Sequence, residues 1–148
     1  MSYNPVFSGT TMALASAAIT TSESNNSGST LTKLTPVRID ASGDMAMIDV
    51  SIELEALGIA GVLNSDTLHT NSGEIINSGR ISNITTTATL GDVLYVSKAG
   101  GVTNTKPAIG IDGFVIDDFV IRLGIVAKNP GNPVNKDLLV NISIVGQL

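Results

Sequence analysis

Two stretches near the C-terminus alternate in polarity with a period of two, and that period belongs to strands. From Phe119 to Lys128, one set is Phe119, Ile121, Leu123, Ile125 and Ala127, while Arg122, Gly124 and Lys128 fall in the other. Leu138, Val140, Ile142 and Ile144 form a second such set, opposite Leu139, Asn141, Ser143 and Val145. Successive side chains of a strand point to opposite faces, so each run predicts a half-buried strand with its apolar set on the core side. The intervening Asn129-Pro130-Gly131-Asn132-Pro133 is compatible only with a loop. Just upstream, Val93-Leu94-Tyr95-Val96 is apolar on both sides, as in a strand covered on both faces, and Lys98-Ala99-Gly100-Gly101 then turns the chain.

The same rhythm of short apolar runs and turn residues extends back to Lys33, which is how sandwiches and barrels read. Val37 to Ile39 and Met45 to Val50 flank the polar Asp40-Ala41-Ser42-Gly43-Asp44 and predict a hairpin. Leu57 to Leu63 and Glu74 to Ile84 are further strand candidates, with Gly79 marking a bulge or tight bend. Ser51 to Ala60 supports two readings, a short helix capped by Ser51 or an alternating strand, and a strand or irregular link is favoured. No long helix is expected anywhere.

Before Lys33 the composition changes. Ser8 to Thr32 is almost entirely Ser, Thr, Ala, Asn and Gly, with Glu23 as its sole charge and a loop signal at Asn25-Asn26-Ser27-Gly28-Ser29. It reads either as a flexible tail or as an arm that orders against a neighbouring subunit, for which Tyr3, Val6, Phe7, Met12, Leu14 and Ile19 are the apolar anchors. The expected organisation is therefore all-β, a small β-barrel or sandwich over residues 33–148 preceded by an extended N-terminal arm over residues 1–32.

Charged residues make up only 14% of the 148, against roughly 25% in ordinary soluble domains, while 43% are hydrophobic. A small subunit has much surface for its volume, so such a chain covers itself with neutral polar groups or hides surface in contacts with other subunits. The net charge of −5 and scattered basic residues argue against nucleic acid, whose phosphates demand clustered Lys and Arg. Without cysteine there are no disulfides, thiolate metal sites or cysteine nucleophile. The apolar run Met12 to Ile19 is shorter than the about 20 residues a membrane helix needs, and no Lys or Arg precedes it as in a secretory signal. No membrane partner is expected, and synthesis and folding in a cytoplasm are.

Catalytic patterns are sparse. His69 is the sole histidine and reads as a loop residue, which leaves a histidine triad or cluster one candidate base. Carboxylates gather at Asp40, Asp44, Asp49, Glu53 and Glu55 and again at Asp112, Asp117 and Asp118, where calcium binding or glycosidase chemistry competes with ordinary turn chemistry. Neither group has the spacing of an EF-hand, and no phosphate loop or nucleophile elbow occurs. Neither an enzyme nor a cofactor is expected. The triplets beginning at Asn25, Asn83 and Asn141 are the chance yield of a chain rich in Asn, Ser and Thr.

Gly91-Asp92-Val93-Leu94-Tyr95-Val96-Ser97, then Gly100-Gly101-Val102-Thr103, Val120-Ile121-Arg122-Leu123-Gly124-Ile125-Val126 and Leu139-Val140-Asn141-Ile142-Ser143-Ile144 resemble a pattern in virion structural proteins of tailed bacteriophages. Gly61-Val62-Leu63, Gly73-Glu74-Ile75-Ile76 and Gly79-Arg80-Ile81 are similar to the strand and turn rhythm of small capsid decoration proteins, and Met1 to Gly9 looks like the start of comparable phage proteins. The resemblance implies a capsid decoration or cement protein without catalytic residues, a homotrimer over local threefold positions of the head, with the major capsid protein as partner and the virion surface as location. A head-fibre, collar, tail or baseplate component fits the same pattern. A receptor- or glycan-binding module is the alternative from another class, with Tyr3, Tyr95, Phe114 and Phe119 as its aromatic platforms.

Overall fold

The structure is a computed structural model that describes residues 18–148. The described residues fold as nearly all β, with one antiparallel sheet of nine strands curled into a half-barrel. The strands are β1 (Ile19–Ser24), β2 (Pro36–Ile39), β3 (Met45–Met47), β4 (Ile59–Leu63), β5 (Ser72–Ile84), β6 (Val93–Val96), β7 (Val102–Thr103), β8 (Phe119–Lys128) and β9 (Lys136–Gln147). A short helix, α1 (Glu53–Leu57), lies between β3 and β4.

The expected hairpin is β2–β3, with Val37 opposite Met47 and Ile39 opposite Met45. Its turn is held by Asp40, whose Oδ1 accepts from the amides of Ser42 and Asp44 at 2.9 and 3.0 Å, and by Gly43 at a φ of 85°. The strand or irregular link expected over Ser51 to Ala60 is corrected to α1. Ile52 occupies the cap position without a capping side chain, and Ala56 is the helix residue that seats in the core. Such a helix gains its stability from that tertiary contact, so strand-like alternation in its sequence did not decide the matter.

β5 organises the molecule. Ile75 and Ile76 pair with β1 on one edge and with β4 on the other. Ser78 pairs with Ile19 of β1 on one edge and with Asn141 of β9 on the other. β4 and β9 thus share one edge of β5, end to end, with β1 along the opposite edge. Near the β4 junction both faces of β5 are covered, because Ile76 joins the main core while the adjacent Ile75 joins a smaller cluster of Leu31, Val37, Met45 and Leu63. Each such fully buried side chain contributes about 1.5–3 kcal/mol relative to its exposed state.

The segment assigned from composition to an N-terminal arm, residues 1–32, therefore contains a stretch packed on the domain. β1 is hydrogen-bonded along β5, and Leu31 is buried and exchanges backbone hydrogen bonds with Thr67 at 2.8 and 3.0 Å. Asn25 is buried in the loop between them. Its Nδ2 donates to the carbonyls of Thr67 and Ser29 at 2.7 and 2.9 Å, and its Oδ1 accepts from the amide of Ser27 at 2.9 Å.

The two alternating runs form the longest pairing, β8 with β9. The core face of β9 is as expected at Leu138 and Val140, and burial fades through Ile142 to an exposed Ile144. The core face of β8 needs correction. Ile121 and Leu123 point inward as expected, but Ile125 is exposed and Ala127 half-buried, while Gly124 and Val126 are buried. The cause is a bulge: the pairing with β6 shifts between Leu94 and Tyr95, and the pairing with β9 shifts between Arg122 and Gly124. An extra residue exchanges the faces of everything beyond it. β6 also differs from expectation in having one covered face, with Leu94 and Val96 buried and Val93 and Tyr95 half-buried.

Candidate interaction surface

Of the ionisable groups flagged in the sequence, Asp40, Asp44, Asp49, Glu55, Asp118 and His69 hold loops. Asp118 is buried and its carboxylate receives Lys98 Nζ at 2.7 and 2.8 Å and the Val115 amide at 2.9 Å. Glu55 accepts from Arg38 Nε at 2.9 Å and from the Asp49 amide at 3.1 Å. Asp44 accepts from the Ser24 hydroxyl, which ties β1 to the β2–β3 turn and lowers the carboxyl's pKa. Asp49 is lowered by hydrogen bonds from the Ser51 hydroxyl and amide. His69 is exposed, and its Nδ1 accepts from the Gly28 amide at 3.1 Å, a loop-to-loop contact. Among the described residues, no three of His, Cys, Asp and Glu converge on a position that could hold a metal ion.

Asp137 is the most completely enclosed of these groups. Burial opposes its charge, but the Asn83 amide at 2.9 Å, Asn129 Nδ2 at 2.9 Å and Arg80 at 2.6 Å together outweigh that and lower its pKa. From the start of β9 it ties the C-terminal end of β5 to Asn129 of the β8–β9 loop.

The aromatic side chains separate into two groups. Phe114 and Phe119 are buried in the main core, which removes them as platforms for a sugar ring, while Tyr95 is half-buried on the outside of β6. An open cavity of about 420 Å³ lies beside Leu34, Thr85, Thr86, Thr87, Leu94, Val102, Thr103 and Asn104, lined by aliphatic, hydroxyl and amide groups without a charge.

What the surface offers in quantity is apolar area. Leu54 is 86% exposed and Ile52 and Leu57 accompany it on α1. The loop before β8 exposes Ile109, Ile111, Val115 and Ile116, the last at 67%. That loop is internally bonded, Gly110 N to Phe114 O at 2.8 Å and Phe114 N to Ile111 O at 3.0 Å, and is pinned by the buried Phe114 and by Asp118. α1 and this loop are joined at their bases, where the Phe119 amide donates to the Val50 carbonyl at 2.9 Å. Rigid, exposed apolar groups of this kind mark interaction surfaces.

Of the anchors named from sequence, Ile19 is the one within the described residues, exposed at the start of β1. Tyr3, Val6, Phe7, Met12 and Leu14 lie outside them. The loop and helix residues were missed because isolated apolar residues in a turn-rich segment carry no periodicity. The signal available was their density, four large aliphatics between Ile109 and Ile116. Among the described residues, no helix is long and apolar enough to cross a membrane. No family model, curated protein or solved structure matches the chain.

Proposed function

We propose that this protein is a non-enzymatic structural component of a tailed-phage virion, a capsid decoration protein that docks on the assembled head as a homotrimer and stabilises it through contacts with the major capsid protein. The observation that carries the reading is the rigid apolar display of α1 and the 109–116 loop on a subunit with little charge, alongside the sequence resemblance of its strands. Burying that display supplies the driving force of association, and a stable contact needs on the order of 1,600 Å² in total. A ligand that binds only the assembled shell stabilises that shell by mass action, increasingly as its free concentration rises above Kd.

Residues 1–17 carry no charge and include Tyr3, Val6, Phe7, Met12 and Leu14, and they are proposed as the segment that engages the capsid.

The test is to add purified protein to undecorated heads and to locate it by electron cryomicroscopy. Density over local threefold positions is expected, with a raised temperature of DNA release. Density confined to the tail or collar would move the protein to that part of the virion, and absence from the particle would end the reading.

A further inference from the structure

Arg122 is the unusual charge of the sheet. It lies mid-strand on β8, opposite Tyr95 of β6 on one side and Ser143 of β9 on the other, and partners opposite one another share a face. One step along, Val93, Ile125, Leu139 and Arg80 form a neighbouring row, in which Ile125 and Leu139 are exposed. Among the described residues, the Arg122 Nε is buried without a hydrogen-bond partner, and the guanidinium joins none of the ion pairs, which are Arg38–Glu55, Arg80–Asp137 and Lys98–Asp118. Residues 1–17 contain no Asp or Glu, so they hold no carboxylate for it either.

The complementary chemistry is present elsewhere on the same chain. The loop 109–117 presents Ile109, Ile111, Val115 and Ile116 together with Asp112 and Asp117, both exposed and both outside the ion pairs. We propose that the 109–117 loop of one copy docks on the outer β6–β8–β9 face of a second copy, with a loop carboxylate, Asp112 or Asp117, meeting Arg122 and the loop aliphatics covering Ile125 and Leu139. Charge complementarity selects a second copy as occupant: the face carries apolar groups around an unpaired cation, and the loop carries apolar groups around unpaired anions. The loop is already folded by its own hydrogen bonds, so little entropy is lost on docking. Because loop and face are different patches, the contact is head to tail and closes into a ring when the rotation allows. The contact rests on the proposed function for the number three alone.

Sedimentation of the full-length protein without capsids tests it. Wild type is expected to be oligomeric at micromolar concentration, and R122E is expected to weaken association by about 30-fold or more, as loss of a desolvated charge pair does. D112K/D117K, at two exposed loop positions of positive φ, is expected to dissociate in the same way and to stay folded with a Tm lowered by no more than a few degrees. The combination R122E/D112K/D117K is expected to regain the oligomer. Wild-type mass for D112K/D117K, or failure of the combined variant to reassociate while folded, would overturn the contact. So would a monomeric wild type that binds heads through Arg122, which would assign the face to the capsid and leave the proposed function standing. An oligomer that responds as expected but ignores capsids would do the reverse.

Discussion

Two buried polar residues show how this charge-poor chain uses the few strong interactions it has. Asp137 has a lowered pKa, so its contribution to stability is fully present above the unfolded value of about 3.9 and is lost as pH falls through the folded value. The D137N variant is expected to lose about 1–3 kcal/mol near neutrality, because the Asn83 amide, Asn129 and Arg80 lose a buried charged acceptor, and to flatten the acid limb of a stability-against-pH curve measured by urea denaturation. A D137N curve parallel to wild type below pH 4 would show that other carboxylates govern acid unfolding. Asn25 plays the neutral version of this part. Its side chain is satisfied at both ends, so N25A removes one of two donors from each of the Thr67 and Ser29 carbonyls and the acceptor of the Ser27 amide, and is expected to cost about 1–3 kcal/mol, readable as a lower Tm in calorimetry.

At the scale of elements, the bulge in β8 and the pairing of β1 decide the shape. Gly124 sits at the bulge, and a Cβ there would run into the Leu139 backbone carbonyl, which cannot move without opening the β8–β9 ladder. G124V is expected to destabilise by about 1–3 kcal/mol or more, whereas G131A, in an exposed loop with ordinary contact distances, is expected to be near neutral in the same denaturant titration. β1 separates two truncations. Removing residues 1–17 leaves every described backbone pairing in place, while removing 1–24 strips β1 from β5 and the Ser24 hydroxyl from Asp44. The shorter truncation is expected to keep the wild-type Tm and the longer one to lower it, and equal Tm values would mean that β1 adds nothing to the fold.

At the scale of the whole molecule, the 1–17 truncation joins stability to function. If those residues engage the capsid, the truncated protein is expected to fold, yet to fail to decorate heads in a cosedimentation assay. Full occupancy by the truncated protein would transfer the contact to the described residues, where α1 displays Leu54 outside the proposed copy-to-copy contact. Local readings of the chain succeeded wherever one face of an element alternates with a period of two or a turn residue is unambiguous. β9, the β2–β3 hairpin and the β4 and β5 strands were legible in that way, and so was the all-β class. The helical state of α1, the inward turn of Gly124 and Val126, and the packing of Leu31 and Asn25 on the domain were decided by tertiary contacts. A five-residue helix, a bulge and a buried loop amide each draw their stability from partners distant in sequence. The shortage of charge was legible from composition alone. Where that apolar surplus reaches the surface, on α1, on the 109–116 loop and beside Arg122, depended on the half-barrel, because only its closure determines which aliphatic side chains the core has room to take.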